Sequence, residues 1–130
     1  MIKYAYTILY VENVERSLAF YEKVFHFKRK FVTPDNTYGE LDSGPVTLSF
    51  ASLELAKGNL KEGFITSSLN SKPFAIEIAF ATDNVEKLYQ EALDAGAVSE
   101  AKPEWKAHGQ TVAYVRDMNG FLIEICTPMD

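Results

Sequence analysis

From Tyr4 to Val11, apolar, aromatic and β-branched residues run almost unbroken, which predicts a strand buried on both sides. The period then changes. Val14, Leu18, Tyr21 and Phe25 recur at i, i+4, i+7 and i+11, the single apolar stripe of a helix beginning at Glu12 or Asn13. Arg16, Glu22 and Lys23 fall off the stripe, and Ser17 reads as a helix-surface hydroxyl. His26 stands at the helix end, where glycine is usual, as a surface cap residue. Phe27 to Thr33 reads as a strand, Pro34-Asp35-Asn36 as a turn, and Tyr38 to Leu41 and Pro45 to Ala51 as two more strands. The first half is therefore β-α-β-β-β.

Residues 52–73 lose this patterning: three lysines, Gly58, Gly63 and the polar run from Thr66 to Ser71 suit either a linker or a lid. Leu53 to Lys57 can form one helical turn within it. The chain then writes its opening again. Tyr6 to Leu18 is echoed by Glu77 to Tyr89, with Asn13-Val14-Glu15 returning as Asn84-Val85-Glu86. Phe74 to Ala81 is the second copy of the first strand. Asp83 and Glu86 fit a capping box, Val85, Leu88, Ala92 and Ala95 form the apolar stripe, and Gly96 closes the helix. A short strand from Ala97 to Ala101 leads to a loop, Lys102 to Gly109, that carries Trp105. Gln110 to Arg116 and Phe121 to Pro128 make a hairpin around Asp117-Met118-Asn119-Gly120. The second half is again β-α-β-β-β. The expectation is an α+β chain, one domain over 1–130, with module one at 1–52, a connecting loop at 53–73 and module two at 74–130.

Composition narrows the function classes. A net charge of −5 without a Lys/Arg cluster disfavours nucleic acid. No apolar run reaches the length of a membrane span, and the N-terminus opens directly on strand-like sequence with no evident signal peptide. A lone Cys126 leaves no disulfide framework, which fits a reducing cytoplasm, the expected location. Nine Phe and seven Tyr are many for this length, so the rings either fill the core or line a cavity.

Val14-Glu15-Arg16-Ser17-Leu18-Ala19-Phe20-Tyr21, Asn84-Val85-Glu86-Lys87-Leu88, and the run from Gly109 to Asp117 continuing into Gly120 to Ile125 resemble the vicinal oxygen chelate superfamily. That superfamily holds glyoxalase I, bleomycin-resistance proteins and extradiol dioxygenases. The resemblance covers essentially the whole chain. It implies two βαβββ modules, each a curved sheet, together wrapping a cup, in a homodimer. In metal-using members the cup holds one divalent ion, ligated from the first and last strand of each module. The matching positions here are Tyr6, Glu77 and Glu124, with the fourth at Leu48 when aligned through Gly44 and Gly120, or at Ser49 after a slip of one residue. None of the four is His, where the glyoxalase I and dioxygenase patterns each supply two.

Strand periodicity supports Glu124 on separate grounds: Phe121, Ile123 and Ile125 take one face, and Leu122, Glu124 and Cys126 the other. By the same alternation Tyr4, Tyr6, Ile8, Ala75, Glu77 and Ala79 share the side of Glu124. The expected site is an aromatic and acidic cup of Tyr4, Tyr6, Leu48, Phe50, Glu77, Trp105, His108 and Glu124. It suits a small, partly planar organic ligand with a cationic or hydrogen-bonding end, bound without metal or other cofactor. The alternative is a divalent-metal-dependent lyase or dioxygenase with Glu77, Glu124 and Tyr6 as ligands. A metal-free acid–base pair, Glu77 with Glu124, is a further catalytic reading, against which stands simple pairing with a base such as Arg116. His108 reads as a solvated loop residue or as a ligand swung over the cup, and Cys126 as a small buried residue rather than a nucleophile.

Overall fold

Asn13 starts the first helix by accepting the Arg16 amide on its side-chain oxygen at 3.0 Å. In the computed structural model, which describes residues 1–129, this helix (α1) spans Val14–Phe25. His26 closes it in the left-handed region at φ 62°, its amide donating to Glu22 O at 3.0 Å. Val14, Leu18 and Tyr21 are buried as the stripe predicts, and Ser17 is buried with them rather than on the surface. Three residues beyond Val14 and four before Tyr21, Ser17 lies within the stripe itself.

The chain divides into two compact units, Met1–Thr66 and Ser67–Asp130. In the first, β1 (Tyr6–Val11), β2 (Lys28–Val32), β3 (Tyr38–Asp42) and β4 (Thr47–Ser52) form one sheet in the order β1-β4-β3-β2. β1 and β4 are parallel, the other pairs antiparallel. One face of this sheet packs on α1. Gly39 shows how closely: a Cβ there would meet Leu18 Cδ1 at 2.7 Å. Leu41, Leu48 and Phe50 share that face, with the Phe50 ring 5.2 Å from Tyr21. Burying side chains of this size contributes roughly 1.5–3 kcal/mol each. β1 is not buried on both sides. It ends the strand order, Leu9 and Val11 are buried, and Tyr6 and Ile8 are exposed. A second helix, α2 (Leu53–Asn59), is capped by Ser52, which accepts the Leu55 amide at 3.1 Å. It packs on β4 and β1, so the connection opens with more than the single turn expected.

The second unit repeats the plan. β5 (Ile78–Ala81), α3 (Val85–Asp94), β6 (Val98–Trp105), β7 (Thr111–Arg116) and β8 (Leu122–Cys126) give a sheet ordered β5-β8-β7-β6. Asn84, not Asp83, caps α3, accepting the Lys87 amide at 3.1 Å, as its repeat Asn13 does in α1. Val85, Tyr89 and Ala92 form the buried stripe, and the Tyr89 hydroxyl is 2.6 Å from Ser99 Oγ. β6 runs on through Pro103 to Trp105, where a loop was expected. It is an outer strand, and pairing irregularities between Ser99 and Glu104 absorb the residue that lacks an amide donor. The predicted hairpin forms with a four-residue turn: Asp117 Oδ1 accepts the Asn119 and Phe121 amides at 2.9 and 3.0 Å. Arg116 donates to Gly120 O at 3.0 Å and to Ser68 O at 2.9 Å, so the end of the connection is fastened to this hairpin. Among the described residues, no helix is long and apolar enough to cross a membrane.

Candidate functional site

Register assigns each predicted residue to a face. Ile8 is opposite Ser49 in the first unit, and Ala79 opposite Glu124 in the second. Ile8 and Ala79 are equivalent in the repeat, so Ser49 is the counterpart of Glu124. Leu48 falls on the other side, with Phe50, against α1. Both belong to the core and are corrected as site residues: slipping one residue along a strand exchanges its two faces. Trp105 pairs with Thr111, which alternates with Val112 and Tyr114, so its register places it away from the Glu124 face; it is 68% exposed. Tyr4 precedes β1, is exposed, and its hydroxyl lies 2.8 Å from Thr7 Oγ1. Tyr6 is also exposed, on the face of the first sheet away from α1.

The second unit brings Glu77 and Glu124 together. Ile123 and Ile125 are fully buried beneath α3, which leaves Glu124 on the opposite face, cross-strand from Tyr114. The Tyr114 hydroxyl donates to Glu124 Oε1 at 3.0 Å. Glu77, just before β5, lies close enough to Glu124 for the two carboxyl groups to influence each other. Partial burial, then the hydrogen bond and negative charge of Glu124, push the Glu77 carboxyl above its ordinary range. Burial pushes Glu124 up too, but hydrogen bonds from Glu77, Cys126 and Tyr114 outweigh it, and the charge of His108 adds to them, so Glu124 is held low. The two acids are therefore driven apart, Glu77 holding its proton more tightly than an ordinary carboxyl and Glu124 less tightly. Burial and the same carboxylate raise Tyr114 to about 12 and Cys126 to about 11. Cys126 is buried, as its reading as a small core residue has it. Arg116 does not pair with Glu124, because its guanidinium is spent on the carbonyls of Gly120 and Ser68. His108 Nε2 lies 2.6 Å from Gln110 Oε1 on the exposed turn between β6 and β7.

The first unit holds a polar cluster that sequence reasoning missed. On the face away from α1, the Tyr38 hydroxyl donates to Glu40 Oε2 at 2.7 Å. Ser49 is Glu40's cross-strand partner. The signal was in the alternation: in Tyr38-Gly39-Glu40-Leu41, the glycine and leucine suit a helix and leave the other two on the far face.

The donor set of the second unit is thin for a divalent ion. Beside the two carboxyl groups stand only a phenol and a thiol whose acidities are pushed up to about 12 and about 11, so Tyr114 and Cys126 remain protonated at neutral pH. Among the described residues, no three His, Cys, Asp or Glu side chains converge as a metal set, whereas catalytic zinc sites take three protein ligands.

The family model described as Glyoxalase/Bleomycin resistance protein/Dioxygenase superfamily matches residues 3–125. Solved structures share the fold. A glyoxalase-related enzyme from Fulvimarina pelagi aligns with a TM-score of 0.83 at 19% identity, covering 98% of this chain and 89% of that one. A glyoxalase/bleomycin resistance protein/dioxygenase family enzyme from Burkholderia phytofirmans PsJN aligns with a TM-score of 0.82 at 22% identity, covering 98% and 100%. The hypothetical protein SA1046 from S. aureus aligns with a TM-score of 0.81 at 19% identity, covering 98% and 95%. No curated protein sequence matches the chain.

Proposed function

We propose, from the premise that this chain belongs to the Glyoxalase/Bleomycin resistance protein/Dioxygenase superfamily, that it binds a small, partly planar organic ligand through the Glu77–Glu124 pair, without a metal ion. One observation carries the reading: two carboxyl groups lie side by side on the sheet face away from α3, Glu124 held by the Tyr114 hydroxyl, and among the described residues neither is in a salt bridge. Two adjacent carboxyl groups attract a cation and offer several acceptor oxygens to it. A planar cation with a fork of N–H groups can bridge both acids. Tyr114 fixes the Glu124 carboxylate through its hydroxyl and offers ring surface to the planar part.

Benzamidinium is the first probe, read by calorimetry at pH 7.5. Glu124→Gln should weaken it about tenfold, the loss of one charge-assisted contact, with the thermal transition retained. Unchanged affinity in a folded variant would sink the proposal. Mn, Fe(II), Co, Ni and Zn should leave the melting temperature of the untagged protein where it is. Metal stabilisation that vanishes in Glu77→Gln and Glu124→Gln would establish the lyase or dioxygenase alternative instead.

A further inference from the structure

Glu77 stands outside the ladder that positions its partner. Glu124 lies within β8, cross-strand from Tyr114, whereas β5 begins only after Glu77, with Ile78 opposite Ile123. Strand pairing therefore fixes Glu77 on its C-terminal side alone. On the other side its course depends on what holds residues 68–76.

That strap is fastened twice to the turn between β7 and β8. Arg116 shares the sheet face of Tyr114, because Val115 between them is fully buried and paired with Ile123 beneath α3. Its guanidinium is buried, with Nη2 donating to Ser68 O at 2.9 Å and Nε to Gly120 O at 3.0 Å. Hydrogen bonds from a charged donor are the stronger kind. Gly120 carries no side chain to keep the strap away, since a Cβ there would stand 2.5 Å from the Ser68 carbonyl carbon. The strap also braces itself: Ser68 Oγ accepts the Asn70 amide at 3.0 Å, and Ser68 O accepts the Ser71 hydroxyl at 3.2 Å. Further on, the Phe74 ring meets Phe121 edge to face, with centroids 6.3 Å apart. The Ile76 amide then donates to Phe74 O at 2.8 Å, a tight turn that delivers the chain to Glu77. Both anchors belong to the turn whose two strands carry Tyr114 and Glu124, so one element sets the positions of all three side chains.

We infer that Arg116 and Phe74 are positioning residues: by fastening the strap to the β7–β8 turn, they hold Glu77 against Glu124 and Tyr114. The inference rests on the Glu77–Glu124 reading for its function, but its decisive measurement needs no ligand, so the two fail separately. That measurement is nuclear Overhauser spectroscopy on the full, isotope-labelled chain. The Glu77 side chain should show contacts to the Tyr114 ring, which it is close enough to affect electrostatically. Arg116→Met should remove them, and Arg116→Lys, which keeps the charge and a donor, should restore them in part. Phe74→Ala should weaken them as well, while the cross-strand contacts between Tyr114 and Glu124 persist in all three variants. In calorimetry Arg116→Met should weaken benzamidinium about fivefold, because both acids remain but are no longer held together. Undisturbed Glu77–Tyr114 contacts in folded Arg116→Met would overturn the inference. So would their loss together with the Tyr114–Glu124 contacts, which would mark a disrupted sheet instead of a released strap. Should Arg116→Met not fold, Phe74→Ala decides, and unchanged Glu77–Tyr114 contacts there are likewise a refutation. A natural chain that ignores benzamidinium would sink the ligand reading alone, with the contacts still deciding the strap.

Discussion

Glu77 and Glu124 are the same chemical group, yet their surroundings drive them apart, one up and one down. The stability consequences have opposite signs. Glu77 holds its proton more tightly folded than unfolded, so its contribution is full below the ordinary value of 4.5 and fades as pH rises through the raised one. Glu124 contributes above the ordinary value and loses that contribution as pH falls through its lowered one. Glu77→Gln keeps a donor toward Glu124 and removes the second negative charge. It should therefore melt higher than the natural protein at pH 8, by about 2 °C because Glu77 is exposed and screened, with the gain shrinking toward pH 4. Melting curves across that range check it; a gain that grows toward acid pH would contradict a Glu77 carboxyl raised above its ordinary range. The pairing was legible only in part. Alternation along Phe121 to Ile125 gives the face of Glu124, and the repeat gives Glu77, but neither reveals that Tyr114 and Cys126 close around them.

At the scale of elements, the helices and most strands were legible because each changes period at a clear punctuation: Asn13, Gly96 and Asp117 to Gly120. The errors follow from the same rules. A strand has a period of two, so aligning through glycines with one residue of slack sent Leu48, instead of Ser49, to the face away from α1. Lys102-Pro103 suggested a loop because proline breaks pairing, but the outer position of β6 tolerates it. Gly120 is a sharper test of element packing. It has φ +87°, and a Cβ there would stand 2.5 Å from the Ser68 carbonyl carbon, in the segment that Arg116 holds. Gly44 has φ +103° with open space around it. Gly120→Ala should cost about 2–4 kcal/mol, strain plus a forced backbone shift, and Gly44→Ala about 1 kcal/mol from strain alone. Urea unfolding of both variants separates the two terms, and equal costs would mean that Ser68 yields freely.

Across the whole molecule, one plan is executed twice with different polar residues on the equivalent strand faces. Tyr6 and Ser49 occupy in the first unit the places of Glu77 and Glu124 in the second, and Glu40 takes the place of Tyr114. The hydrophobic pattern alone could reveal the duplication, since both copies must bury the same helix stripe, whereas nothing in that pattern constrains the faces on which the copies diverge. The join between copies is also less uniform than its composition suggests. α2 packs on the first unit, the Phe64 ring meets Tyr10 at 5.0 Å, and Ser68 is held by Arg116 in the second. Between α2 and Phe64, residues 60–63 are exposed, and Lys61 lies in the middle of that stretch. Trypsin should therefore cut first after Lys61, where the backbone can leave the surface without breaking a strand or helix. Intact-mass analysis of a brief digest would show two fragments meeting at Lys61 and Glu62. A first cut after Lys102 instead, within β6, would show that the outer strand of the second sheet opens more readily than the join.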